Sequence, residues 1–154
     1  MDVAYGEVEI SSSVSGPKLF KVYDNFEIIA PKIIPETYKS FTFIRGDGDV
    51  GTIKSVTYGD GTSTKHTIDA IDRSNLIFSW TFFEGDALKG IINTATHHLK
   101  FIPSPNGGCV FKQTFVIRYK GDAKLIDNII NGIKEAIKNT FKKMESYAID
   151  HPKV

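Results

Sequence analysis

Runs of alternating apolar and polar residues fill most of the chain between residues 40 and 120, and this pattern restricts the fold more than any other feature. A period of two residues is typical of β-strands with one buried face. The connectors are rich in Gly, Asp, Asn and Pro and are too short for a parallel crossover, so neighbouring strands are expected to be antiparallel. The predicted strands are Glu7–Ser13, Ser40–Arg45, Thr52–Tyr58, Lys65–Asp72, Leu76–Glu84, Thr94–Ile102 and Val110–Lys120.

Helical signals stand on either side of this strand-rich region. Ser15 is a good N-cap and Pro17 suits a first helical turn, so a short helix is predicted there. A second short helix, about Asn25–Ala30, is expected to stop near Pro31. After residue 122, apolar residues recur at steps of three and four up to about Ala148, which predicts one long amphipathic helix. Its apolar stripe comprises Leu125, Ile129, Ile133, Ala136, Ile137, Phe141, Met144 and Ala148.

These elements predict an α+β fold. A long helix with an apolar stripe must bury that stripe, and a strongly curved sheet is the only large partner that the chain offers. We therefore expect one ligand-binding domain over residues 1–154, in which a seven-stranded antiparallel curved sheet, two short helices and a long C-terminal helix surround a hydrophobic cavity.

Composition excludes several classes of protein. The 154 residues suit one domain, and 41% hydrophobic with 24% charged residues is ordinary for a soluble globular chain. The formal charge of +1 gives no strong attraction to nucleic acid or anionic membranes. Cys109 is the only cysteine and no Asn-x-Ser/Thr site occurs, which favours a cytoplasmic location. The polar amino terminus is not expected to be a signal peptide, and no apolar run approaches the ~20 residues of a membrane span.

A glycine-rich segment at Gly46, Gly48 and Gly51 matches the G-x-G-x-x-G pattern of dinucleotide-binding loops. That function needs a helix after the loop, whereas here a predicted strand follows. Asp47 and Asp49 would also repel phosphate. The segment is therefore interpreted as a rigid turn.

Metal and thiol chemistry have little support. His97 and His98 are adjacent on a predicted strand, so their rings point to opposite faces and cannot chelate one metal ion. One of the two is expected to face inward as a polar group. Cys109 lies beside two glycines with no nearby base in the sequence, which indicates a structural role.

Large apolar side chains alternate with occasional polar ones on the inner faces of two strands. This pattern suits a cavity for a flat hydrophobic ligand, and it suits a packed core equally well. The predicted ligand-binding residues are Tyr38, Phe78, Trp80, Phe82, His98, Gln113, Phe115, Ile117, Ile133, Ala136 and Thr140.

Several motifs together are similar to those of a known plant family. Residues Arg45–Lys54, Glu84–Leu88, Lys120–Ala123 and Ser11–Phe20 resemble the plant pathogenesis-related proteins of class ten, relatives of the birch-pollen major allergen. The resemblance implies a helix-grip fold and a cytosolic, defence-related protein without a cofactor. It also implies a monomer, or at most a weak dimer, whose partner is a small amphipathic plant metabolite such as a flavonoid, a cytokinin or another phytohormone, or a sterol-like compound.

The same resemblance raises a weak ribonuclease activity as an alternative. Lys54, Glu145 and Tyr147 match the residues to which that activity is attributed in the family, and His98 stands where the family has a glutamate on the sixth strand. The simpler interpretation, which we prefer, makes Lys54 and Glu145 an ion pair and Tyr147 a packing residue.

Two further alternatives follow from related branches. A condensing synthase would need an acid–base pair facing the cavity, for which Glu84 and His98 are the candidates. A receptor of the abscisic acid type, which inhibits a protein phosphatase, is disfavoured because its gate-loop motifs Ser-Gly-Leu-Pro-Ala and His-Arg-Leu do not occur in the sequence.

Overall fold

The structure, a computed structural model, describes residues 2–153 and contains one seven-stranded antiparallel sheet. The elements are β1 Asp2–Ser12, α1 Gly16–Asp24, α2 Phe26–Ile33, β2 Tyr38–Arg45, β3 Ile53–Tyr58, β4 Ser63–Asp72, β5 Ile77–Glu84, a 3₁₀ turn Asp86–Leu88, β6 Ile92–Pro103, β7 Cys109–Tyr119 and α3 Ala123–Asp150. From β2 to β7, strands that follow each other in sequence are neighbours in the sheet, and β1 pairs with β7, which gives the order β1-β7-β6-β5-β4-β3-β2. The predicted helix-grip arrangement is confirmed.

The sheet carries register shifts that help it bend around α3. They occur between β2 and β3, between β4 and β5, and between β6 and β7. In the β4–β5 pair Ile68 lies opposite Trp80 while Ala70 lies opposite Ser79, so Asp69 is the extra residue of a bulge. A bulge bends its strand and strengthens the local twist, which favours a sheet that wraps around a helix.

The start of α1 is as predicted, whereas the end of α2 is not. The Ser15 hydroxyl accepts a hydrogen bond from the Lys18 amide at 3.4 Å, and Pro17 lies in the first turn. The α2 helix does not stop at Pro31 but continues to Ile33. Pro31 has no N–H group, so one hydrogen bond of the last turn is missing. The Ile34 amide still donates to the Ala30 carbonyl at 2.9 Å, and the helix therefore continues past the proline.

The packed core lies under α1 and the carboxyl-terminal half of α3. Phe101, Phe111 and Phe141 are fully buried there, and the Phe111 and Phe141 rings are 4.4 Å apart. The predicted stripe of α3 is wrong at its start, because Leu125 is 43% exposed and Ile126 is buried instead. None of the helices among residues 2–153 is both long enough and apolar enough to span a membrane.

Candidate functional site

An internal cavity of about 410 Å³ lies between the concave face of the sheet and α3. Its size falls within the range of small-molecule sites. Apolar and aromatic side chains form most of the wall, and α1 and α2 contribute residues at one end. The apolar lining residues are Phe26, Phe41, Val56, Ile68, Ile71, Phe78, Trp80, Phe82, Leu99, Ile133, Ala136 and Ile137.

Most of the residues predicted from the sequence are brought together at this cavity. The predicted residues that line it are Tyr38, Phe78, Trp80, Phe82, Gln113, Ile133, Ala136 and Thr140. Ala136 does so from an exposed position on α3, whereas Thr140 is buried. That these side chains contact a ligand stays a prediction.

Two of the predicted lining residues lie in the packed core instead. Phe115 and Ile117 are 1% and 0% exposed and take no part in the cavity wall. Phe115 packs against the backbone of Gly6 on the neighbouring strand, since a Cβ atom added there would lie 2.1 Å from the Phe115 ring. On β7, Gln113 therefore lines the cavity, whereas Phe111, Phe115 and Ile117 lie in the solid part of the core.

The inward member of the histidine pair is His97, and the prediction of His98 is wrong. His98 is exposed on the convex face, where its Nδ1 lies 2.6 Å from the Ser79 hydroxyl. His97 is 6% exposed and lines the cavity. Adjacent strand residues point to opposite faces, so alternation required one inward ring but did not identify which.

The His97 ring is held on two sides. It stacks on the Trp80 indole with ring centroids 5.3 Å apart, and the Gln113 amide nitrogen donates to its Nδ1 at 3.0 Å. Burial, helped by the neighbouring His98 and His66, lowers the pKa of His97 to about 3. The ring is therefore neutral at physiological pH, and with Nδ1 as acceptor its Nε2 carries the proton.

His66 is a cavity residue that the sequence analysis did not identify. It is 8% exposed, and burial together with the nearby Lys54 charge lowers its pKa to about 4. Lys54, Val56 and Tyr58 on β3 line the same region. Strict alternation along β3 and β4 puts these side chains on one face, and that signal was available in the sequence.

The tyrosines of the cavity are neutral hydrogen-bonding groups. Burial raises the pKa of Tyr23, Tyr38 and Tyr58 above the ordinary value. The Tyr58 hydroxyl lies 2.8 Å from the Thr64 hydroxyl. The cavity therefore offers several uncharged polar groups against a mainly apolar wall.

One end of the cavity meets an acidic depression beside the glycine-rich segment. Asp24, Glu27 and Gly48 border both spaces. Asp47, Asp49 and Arg73 complete the depression, and Arg73 is paired with Asp24 at 3.4 Å.

The glycine-rich segment forms a turn, as the sequence predicts. Gly46, Gly48 and Gly51 have φ values of +88°, +108° and +90°, which glycine adopts at no steric cost. The amides of all five residues from Gly48 to Thr52 are bonded inside the protein, for example that of Gly51 to the Ile68 carbonyl at 2.8 Å. A phosphate group would find no free amide among them.

The four ribonuclease candidates do not form one site. Lys54 lies 3.5 Å from Glu27, so the predicted pair with Glu145 is wrong. The Glu145 carboxylate accepts a hydrogen bond from the Ser12 hydroxyl at 2.5 Å. Tyr147 stacks on His151 at 4.0 Å, and His98 lies on the convex face. The four side chains therefore contact four different partner residues and do not converge on one site.

The residue pair suggested for a condensing synthase is also outside the cavity. Glu84 is exposed and bonds Lys65 at 2.7 Å, and His98 faces the convex side. Among residues 2–153, no three His, Cys, Asp or Glu side chains are grouped so that they could hold a metal ion.

Comparison with known proteins gives consistent results. The profile of the pathogenesis-related protein Bet v 1 family matches residues 1–151. The root allergen protein of Taraxacum officinale is 54% identical over 154 residues, covering 97% of this chain and 98% of that protein. The major allergen Pru ar 1 of Prunus armeniaca is 37% identical, covering 99% of this chain and 98% of its own.

Solved structures show the same architecture. The crystal structure of Ara h 8.0201 superposes with a TM-score of 0.87 at 30% identity, covering 97% of this chain and 99% of that one. Norcoclaurine synthase of Thalictrum flavum superposes with a TM-score of 0.80 at 20% identity, covering 98% and 97% of the two chains. The second likeness concerns the fold alone.

Proposed function

The chain belongs to the pathogenesis-related protein Bet v 1 family, and we propose that it binds a small, flat amphipathic molecule in its internal cavity without covalent chemistry. The observation that carries this proposal is the cavity of about 410 Å³, whose wall is largely aromatic and aliphatic. Each 100 Å² of apolar ligand surface buried there contributes about 2.5 kcal/mol. Flavonoids, cytokinins and sterol-like compounds are the ligand classes that combine an apolar ring body with a few polar groups.

We also propose a cellular setting for the protein. Family membership supports a role in plant defence, and a single cysteine with no Asn-x-Ser/Thr site supports a cytoplasmic location. The nearly balanced charge supports a function that involves neither nucleic acid nor a membrane surface. We propose a monomer whose partner is the metabolite in the cavity.

The decisive experiment is a titration followed by intrinsic fluorescence. Trp80 is the only tryptophan and lines the cavity, so its emission reports directly on occupancy. A flavonoid, a cytokinin, a sterol-like compound and an apolar dye form the panel. We expect saturable one-site binding of at least one member at micromolar concentration, about 8 kcal/mol. Failure of every member to bind would contradict the proposal.

Two neighbouring phenylalanines provide a matched test of the site. Phe82 lines the cavity, whereas Phe83 is 37% exposed and is not part of the cavity wall. Phe82→Arg should abolish binding measured by calorimetry, and Phe83→Arg should leave it unchanged. Ala136→Trp is a second variant that should prevent binding. The new side chain fills the cavity from an exposed helix position and buries no charge. Binding that survives both Phe82→Arg and Ala136→Trp would place the ligand elsewhere.

A further inference from the structure

Two asparagines of this chain are followed directly by glycine. They are Asn106, before Gly107 in the turn between β6 and β7, and Asn131, before Gly132 inside α3. Asparagine is chemically labile because its side-chain amide can be lost, and a following glycine has no Cβ to hinder attack by its amide nitrogen. The same reactive dipeptide therefore occurs in two different backbone settings.

The turn that carries Asn106 is open to solvent at its tip. Asn106 and Gly107 are both exposed, Gly107 has a φ of +90°, and a Cβ added there would meet no atom within 4 Å. The Gly107 amide donates to the Ser104 carbonyl at 3.1 Å, and the Ser104 amide donates to the Gly108 carbonyl at 2.9 Å. Only the first of these bonds must open before the Gly107 nitrogen can react, and opening at an exposed loop tip costs little.

The side chain of Asn106 is held against this turn. Its Oδ1 accepts a hydrogen bond from the Gly108 amide at 3.0 Å. Gly108 is buried, and a Cβ added there would lie 2.2 Å from the Ser12 carbonyl oxygen, so the donor has little freedom to move. The bond keeps the side-chain carbonyl close to the main chain. The same N–H would stabilise the negative charge that develops on Oδ1 when the carbonyl carbon is attacked.

Asn131 has none of this geometry. It lies well inside α3, which runs from Ala123 to Asp150. In an α-helix each amide N–H is bonded to the carbonyl four residues earlier, so the Gly132 nitrogen could approach the Asn131 side chain only if the helix opened locally. The helix is therefore expected to protect this second site.

An aspartate in the same kind of turn is protected by its charge. The Thr62 amide donates to Asp60 Oδ1 at 2.9 Å, and Gly61 has a φ of +87°. Hydrogen bonds to this carboxylate lower the pKa of Asp60, so the group is ionised at neutral pH. A carboxylate anion is a poor target for a nucleophile, whereas the amide of Asn106 is uncharged. Asn106 therefore combines a reactive group with a favourable turn.

We propose that Asn106 is a modification site at which the folded protein deamidates to aspartate and isoaspartate. The Gly107 amide gives its proton to a solvent base, and its nitrogen bonds to Cγ of Asn106. The bond from Cγ to Nδ2 breaks, and Nδ2 takes a proton from water and leaves as ammonia, so a succinimide ring remains. Water then opens the ring at one of its two carbonyl carbons. The formal charge of the chain changes from +1 to zero.

The two products differ in their effect on the turn. Aspartate leaves the length of the main chain unchanged and keeps an oxygen that accepts from the Gly108 amide. Isoaspartate adds a methylene group to the main chain beside the point where Gly108 packs against Ser12. The isoaspartyl form should therefore unfold at a lower temperature than the variant Asn106→Asp.

Peptide mapping of the full-length protein during storage in mildly alkaline buffer tests the proposal. Trypsin places the two asparagines in separate peptides, Phe101–Lys112 and Leu125–Lys134. A mass gain of one unit marks deamidation, and a protein-isoaspartate methyltransferase with a labelled methyl donor quantifies the isoaspartyl product. In the native protein we expect Asn106 to convert at least about tenfold faster than Asn131, which corresponds to a barrier difference of about 1.4 kcal/mol.

Concentrated urea provides the matched reference in which the fold is absent. Both asparagines should then react at similar rates, since both precede glycine. Asn106→Asp should show no mass gain at residue 106 and an unchanged rate at Asn131. Equal native rates at the two asparagines, or a native rate at Asn106 tenfold below its rate in urea, would overturn the site. An isoaspartyl form that unfolds at the same temperature as Asn106→Asp would overturn the effect on the turn.

Discussion

The indole of Trp80 and the imidazole of His97 stack in parallel, 5.3 Å between centroids and 4° between ring planes, on adjacent strands at the cavity wall. The Gln113 amide nitrogen donates to Nδ1 of the same imidazole, so the three side chains form one connected unit on β5, β6 and β7. A buried hydrogen bond therefore holds the ring on which the Trp80 indole stacks.

Removing that hydrogen bond should destabilise the fold. Gln113→Leu leaves the buried Nδ1 of His97 without its donor, and we expect a loss of about 1–3 kcal/mol in the free energy of unfolding. Urea denaturation monitored by circular dichroism gives the value. The double variant Gln113→Leu/His97→Leu removes both polar groups and should lose less than the two single losses added together. Simple additivity would show that the bond contributes nothing.

Stability should fall as the solution becomes mildly acidic. The pKa values of His66 and His97 are lowered to about 4 and about 3 in the fold, below about 6.5 in the unfolded chain. The unfolded chain then binds more protons, so the stabilisation is complete above about pH 6.5 and is lost as the pH falls towards the folded values. Between about pH 7.5 and 5 each ring should account for about 2 kcal/mol.

The corresponding measurement is a set of urea unfolding curves across that range. The pKa values of Asp60 and Asp72 are also lowered, by hydrogen bonds to their carboxylates, but carboxylates protonate mainly below this window. His66→Phe should reduce the acid sensitivity, because the buried ring that must be neutral in the fold is then absent. An identical pH slope in the unmodified protein and His66→Phe would contradict the assignment.

Two glycine-to-alanine substitutions should have opposite signs. A Cβ at Gly6 would lie 2.1 Å from the Phe115 ring, so Gly6→Ala must displace a fully buried side chain and should cost about 1–3 kcal/mol. Gly132 lies inside α3 with no atom within 4 Å of an added Cβ, so Gly132→Ala should stabilise by roughly 0.5–1 kcal/mol. Thermal unfolding of both variants measures the two shifts. A neutral Gly6→Ala would mean that Phe115 is not packed as described.

The scattered ribonuclease candidates predict that RNA cleavage does not depend on them. Lys54 is paired with Glu27 and Glu145 is bonded to Ser12, so neither acts on the other. Any cleavage by a purified preparation should be the same for the unmodified protein, Lys54→Ala and Glu145→Gln when a fluorogenic RNA is used. A loss of cleavage in both variants, with folding retained, would show that a site assembles which this structure does not contain.

The sequence predicted the elements well because their signals are local. Alternation defined the strands, and the Ser15 cap and the apolar period of α3 defined helices, each within a few residues of the observed bounds. The main differences lie at the ends, where β1 begins at Asp2 and α2 passes through Pro31. The length of β1 is set by its pairing with β7, and the end of α2 is set by the hydrogen bond from the Ile34 amide to the Ala30 carbonyl.

Alternation also failed where a strand departs from regularity. Ile68 and Ile71 are three residues apart, which in a regular strand puts them on opposite faces. Both line the cavity, because the bulge at Asp69 adds one residue to β4 and restores the inward direction. A bulge is set by the pairing of two strands, so neither strand's sequence shows it alone.

The division between cavity and core was beyond the sequence for a related reason. Phe82 and Phe115 are both inward-facing aromatic residues in strands with the same pattern, yet the first lines an open space and the second is fully buried. By itself the sequence determined which side chains turn away from solvent, since that depends on the period of each element. Only the tertiary structure decided which of them meet a partner and which meet a cavity, because that depends on how far the bent sheet stands from α3 at each point.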